Sequence, residues 1–153
     1  MNQDPNKSLH ESLKMLADFT KSPRVNLFVG KIHLDQGTIL ASSDSEQVQR
    51  YHTRLTRYPE VREVLLKGHI VHVTDVAKNQ LTASLHSNVK SIKVHSIVVL
   101  PVLYQGKILG ALHLRLTRDS SHLPQKYLNT FYNVALAIGP IIYWHLRQTD
   151  DIK

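Results

Sequence analysis

The stretch from Tyr58 to Leu116 constrains the fold more than any other part of the chain, because it orders a helix, a strand, a polar connection and a hairpin. Pro59 presets φ for a first helical turn, Glu60 stands where the helix dipole favours an anion, and Lys67 lies near the other end, just before Gly68. Val61, Val64 and Leu65 recur at helical spacing, so YPEVREVLLKG is expected to form a short helix with one apolar face. IVHVT then reads as a strand. After a polar connection from about Asp75 to Ser96, two apolar runs flank Gln105-Gly106, where glycine supplies the positive φ of a tight turn. Residues 97–104 and 107–116 are therefore expected to pair antiparallel. In the second run Ile108, Leu112, Leu114 and Leu116 alternate with Leu109, Ala111, His113 and Arg115, as in a central strand covered on both faces. Pro101 in its partner predicts a bulge or an unpaired amide.

Upstream, Ser8-Leu9-His10-Glu11 has the form of a capping box, and Leu13, Leu16 and Phe19 follow along one side, which predicts a helix over 9–20 stopped by Ser22-Pro23. Val25 to Leu34 reads as a strand, Asp35-Gln36-Gly37 as a turn and Thr38 to Ser42 as a returning strand. The polar SSDSEQVQR reads as loop with at most partial helix. Downstream, the chain is expected to be helical over 124–148 with two apolar faces. Leu128, Phe131, Ala135, Ile138 and Ile142 form one face, and Tyr127, Val134, Ile141 and Trp144 a neighbouring one. One face can cover the chain's own sheet, leaving the other, with Leu13 of the first helix, as a candidate homodimer interface. Gly139-Pro140 predicts a kink, read as a bend along the sheet in preference to a signalling hinge. The closing TDDIK is polar and is read either as a cut or as a point where the helix continues into a further domain.

With 153 residues, 42% of them apolar and 20% charged, the chain is expected to be one globular domain spanning 1–153, with its sheet and connecting helices within 23–118. There is no Cys, which excludes disulfides, thiolate metal sites and a Cys nucleophile. No apolar run approaches the roughly 20 residues of a membrane span, and MNQDPNKS lacks the apolar core of a signal peptide, so a soluble, cytoplasmic protein with no membrane partner is expected. The net charge of +7 raises nucleic acid as a partner, but Lys and Arg are scattered, and a solvated surface is the preferred reading. There is no G-x-S-x-G, H-E-x-x-H or phosphate-loop motif, and no catalytic residue is assigned. His72 and Asp75 could suggest acid/base work, yet Thr74 or Asp75 capping the following turn is the plainer account. His69 and His72, three apart at a strand entrance, point to opposite faces and make no metal pair, and no metal is assigned.

The assembled order is helix, two strands, helix, strand, mixed connection, two strands, helix, an α+β layer fold with an antiparallel sheet and terminal helices on one face. On Tyr58-Pro59-Glu60, Gly68, Val73 to Val76, Pro101, Gly106 and Gly110 the chain resembles a GAF domain. The resemblance implies five to six strands with the connection on the face opposite the terminal helices. It also implies a non-enzymatic sensing and dimerising module of a bacterial-type signalling protein, such as a sensor histidine kinase or response regulator. A ligand-free coupling module is the alternative. Any ligand would be small, neutral or anionic, and held between sheet and connection. Its candidate contacts are Phe28, His72, Asp75, His86, His95, Val99 and His113. Bilin-binding GAF domains attach the chromophore through a Cys near the position of His86, so a bilin thioether is excluded, as are members using paired cysteines. The NKFDE-like signature of cyclic-nucleotide-binding members is absent. Haem on His86 or His95 is disfavoured, because two His among ten are a weak signal, and the cofactor is left unassigned.

Overall fold

The computed structural model describes residues 5–45, 51–79, 94–118 and 123–148. Helix α1 spans Pro5–Thr20, one turn longer at its start than the sequence suggests. Ser8 and Glu11 thus lie inside the helix and form no capping box, because Pro at the first helical position already sets φ. Strand β1 (Arg24–Lys31) is shorter than expected, since Ile32–Leu34 closes into a 3-10 turn that ends at Asp35 with φ 52°. Asp35 anchors that turn by accepting bonds from the Thr56 amide at 2.9 Å and the Arg54 guanidinium at 3.0 Å. Strand β2 follows over Gln36–Ser42, then β3 over Tyr51–Arg54, an exposed edge strand that the sequence did not reveal.

Helix α2 (Pro59–Lys67) has the predicted limits, with Pro in its first turn and Gly68 in the left-handed region at φ 74°. Strand β4 (Val71–Val73) precedes the connection, whose residues 80–93 lie outside the described ones. The hairpin of β5 (Ser96–Tyr104) and β6 (Lys107–Leu116) turns through Gln105 and Gly106, both at positive φ. Pro101 sits next to a bulge between Val102 and Leu103, and β4 pairs with β5 only up to Val99, so its missing amide leaves no ladder partner waiting on that side.

The strands make one antiparallel sheet in the order β3-β2-β1-β6-β5-β4. Helices α1 and α3 (Gln125–Gln148) cover one face over a cluster that includes Leu13, Leu27, Leu112, Leu114, Phe131 and Ile138. Helix α3 runs unbroken through Pro140, which is exposed, and its tight seat comes from Gly139. A Cβ there would stand 2.7 Å from the carbonyl oxygen of Leu103 on β5. Helix α2 covers the other face over a smaller cluster that includes Phe28, Leu55, Val61, Val64, Val73 and Val99. Among the described residues no helix is long and apolar enough to cross a membrane.

Candidate functional site

The smaller layer carries the polar chemistry. Strand alternation turns Leu112 and Leu114 of β6 toward α1 and α3, so His113 between them points toward α2. Glu60 in the first turn of α2 lies one residue before Val61 and four before Val64, on the same inward face. The two side chains meet across the layer, with His113 Nε2 at 3.0 Å from Glu60 Oε1 and exposures of only 2% and 5%. Nε2 faces the carboxyl group, which leaves Nδ1 as the second polar atom of the ring. Among the described residues Nδ1 has no hydrogen-bond partner and is fully buried.

Aromatic rings surround this imidazole. Phe28 of β1 lies 5.7 Å from it and Tyr58 6.2 Å, edge to face at 89°, while Phe28 and Tyr58 are 4.9 Å apart. Val99 is the cross-strand partner of His113 and is fully buried. Two residues along the same face of β6 stands Arg115, directly opposite Arg24 of β1. Arg24 is neutralised by Asp44 at 2.7 Å. Burial pushes the Arg115 guanidinium below its ordinary value, Arg24 acting in the same direction and Tyr58, Glu60 and Asp44 opposing.

The structure thus gathers three of the expected contacts, Phe28, Val99 and His113, on one face. His72 is a correction: Val71 and Val73 pair with Val99 and Ile97 on the α2 side, so alternation turns His72, the partner of Val98, to the opposite face. Asp75 serves its own backbone, accepting from the Ala77 amide at 3.0 Å, the capping role that the sequence preferred for it. His95 has an exposed side chain, and its backbone ties the connection down through bonds to Leu116 and Val76. His86 lies outside the described residues. Glu60, Tyr58 and Arg115 were not foreseen as site residues. The usable signal was Glu60 at helical spacing from Val64, a carboxylate on an apolar stripe.

Among the expected interface residues Leu13 is also corrected, because it is fully buried in the chain's own core and offers nothing to a partner. Tyr127, Val134 and Ile141 are half-buried against that core, and Trp144 is 64% exposed. A cleft of about 460 Å3 lies elsewhere, toward the β1–β3 end, with Val29, Leu40, Leu109 and Leu146 in its wall. Its polar groups are solvated or paired with one another, as Thr38 is with His52 at 3.1 Å, whereas the Glu60–His113 pair is buried and is the candidate site. Among the described residues no three His, Asp or Glu side chains are grouped to hold a metal ion.

The family model of the GAF domain matches residues 4–141. No curated protein matches the sequence. Among solved structures, the GAF domain of a phosphoenolpyruvate-protein phosphotransferase from Coxiella burnetii is similar with a TM-score of 0.76 at 15% identity, over 99% of this chain and 89% of that one. The corresponding domain from Acinetobacter gives 0.70 at 19% identity, over 97% and 87%. A type II free methionine-R-sulfoxide reductase from Thermoplasma acidophilum gives 0.72 at 17% identity, over 91% and 92%. At these identities the likeness is one of fold.

Proposed function

The chain belongs to the GAF domain family, and from that premise we propose that it is a regulatory, non-enzymatic sensor module that binds a small molecule on the α2 face of its sheet. The observation that carries this reading is His113, buried beside Glu60 with Nδ1 unpartnered among the described residues. An unsatisfied buried polar atom costs about 1–3 kcal/mol, and a ligand that supplies the missing partner recovers it. Phe28, Tyr58 and Val99 give that ligand an apolar wall. The reductase fold does not carry its chemistry over, because reducing a sulfoxide needs a two-electron donor and this chain has no thiol to provide one. A place in a sensor kinase or response regulator fits such a module. Native mass spectrometry of protein purified from cells tests it. The expected result is a retained small molecule that His113→Leu fails to retain; no adduct in the wild type, and no change in melting temperature across a metabolite panel, would dismiss ligand sensing.

A second reading, a coupling module that acts through dimerisation, has its own support in the large apolar side chains exposed on the terminal helices. Met15 is 67% exposed, Leu136 65% and Trp144 64%. Tyr132, Leu136, Pro140 and Trp144 recur every four residues along one ridge of α3. Sedimentation is expected to show a wild-type dimer, and Leu136→Glu with Trp144→Glu a folded monomer. A wild-type monomer at high micromolar concentration would remove this reading and leave the ligand site untouched.

A further inference from the structure

We propose that, separately from the α2 face, the cleft on the α1/α3 face binds an amphipathic monocarboxylate, its aliphatic body on Val29, Leu40, Leu109 and Leu146 and its anionic head at Lys31.

The cleft forms where the sheet runs on past its helices. Helices α1 and α3 lie over β1, β2, β5 and β6, whereas β3 packs chiefly against β2. Leu27 and Val29 of β1 pack toward α1 and α3, so strand alternation puts Lys31 on the same side. Cross-strand pairing extends that side outward. Val29 stands opposite Thr38 and Lys31 opposite Gln36, and Thr38 stands in turn opposite His52 of β3. Leu40, Leu109 and Leu146, almost fully buried, end the aliphatic layer and close the inner wall. The opening that remains, about 460 Å3, is of the size that small-molecule sites occupy, roughly 300–1,000 Å3.

The lining is divided by chemistry, and the division selects the ligand. Its inner part is aliphatic. At its outer part Thr38 Oγ1 and His52 Nδ1, 3.1 Å apart, engage each other, and Lys31 is exposed. Among the described residues no Asp or Glu lines the cleft and no carboxylate pairs with Lys31. Asp35, next to Gln36 in the chain, is held by Arg54 and Thr56. A lysine stem lies along apolar surface while its ammonium stays in water, so a head group meets it at the rim. An aliphatic chain ending in a carboxylate answers both parts. A compact inorganic anion leaves the aliphatic wall wet, an alcohol leaves the cation unanswered, and an alkylammonium is repelled by it.

The test titrates methyl-labelled protein with butanoate, hexanoate and octanoate, and with octanol and octylammonium. The methyl signals of Val29, Leu40, Leu109 and Leu146 are followed by NMR beside those of Val99 on the far face. Octanoate is expected to shift the four cleft residues saturably and to leave Val99 unchanged. Affinity should rise roughly two- to four-fold for each methylene added from butanoate to octanoate, as burial of an aliphatic body requires. Octanol should bind about two- to five-fold more weakly than octanoate, the size of one exposed ion pair, and octylammonium more weakly again. Lys31→Glu should reverse the order of octanoate and octylammonium, with thermal melting confirming that the variant folds. Equal affinities for octanoate, octanol and octylammonium would overturn the anionic head. Shifts confined to Val99, or no saturable shift with any probe, would overturn the cleft as a binding site, and neither result bears on the Glu60–His113 site.

Discussion

The two faces of the sheet are built to different rules. Toward α1 and α3 the layer is thick and aliphatic, with Leu9, Leu13, Leu16, Leu27, Leu112, Leu114 and Phe131 almost completely buried. Its buried hydroxyls are bonded to backbone carbonyls, Thr20 to Leu16 at 2.8 Å and Ser96 to Arg118 at 2.7 Å. Toward α2 the layer is thinner, and it buries a carboxyl group and an imidazole of which one nitrogen has no partner among the described residues. A protein selected for stability alone would fill the second layer as it fills the first. The contrast teaches that folding free energy is concentrated on one side of the sheet and the buried polar pair on the other, separated by a single layer of backbone.

The largest effect that could break this comparison comes from the pair itself. His113→Leu leaves the Glu60 carboxyl buried without its partner and is expected to cost about 3–5 kcal/mol, read from urea midpoints. Replacing both residues with Leu is expected to return stability to the wild-type level or above it, since an apolar pair of similar size carries no desolvation cost. If the double variant stays as unstable as the single one, the pair is structural and the functional reading of this face fails.

A smaller effect probes the opposite layer. Gly139→Ala pushes a methyl group to 2.7 Å from the Leu103 carbonyl, a backbone atom that cannot swing aside. The expected loss is about 1–3 kcal/mol, typical of overpacking, with ligand binding on the far face unchanged. Equal or better stability would show that α3 does not depend on this close approach. The same variant would reveal any coupling between the faces as a change in affinity.

How much of this was legible beforehand depended on range in sequence. The limits of α2 and the turn of the hairpin were readable because Pro59, Gly68 and Gly106 act on their own backbone. The four residues of β3 carried no pattern, since an exposed edge strand has no buried face to alternate with. His72 was misplaced for lack of a register, because one residue of slip exchanges the faces of a whole strand. The Glu60–His113 contact spans 53 positions, and neither residue alone announces it. Phe28, Val99 and His113 were nameable as members of strands, whereas the carboxylate, tyrosine and arginine around them emerge only when α2 folds onto β6.

The smallest effect concerns Asp44, which neutralises Arg24 opposite Arg115. Partial burial raises the Asp44 pKa, but hydrogen bonds from Ser42 and Arg24 and the charge of Arg24 outweigh it and hold the value below the ordinary 3.8. A carboxylate depressed in the folded state stabilises the protein above its unfolded pKa, so this contribution is complete above about pH 4 and disappears as pH falls through the folded value. Both partners are more than a third exposed, at 36% and 40%, so solvent screening limits the contribution at neutral pH to about 1 kcal/mol at most. Asp44→Asn is accordingly expected to lower stability slightly at pH 7, less so in high salt, and to approach the wild type as pH falls through the folded value. A destabilisation that persists unchanged into acid would mean that Asp44 acts through packing.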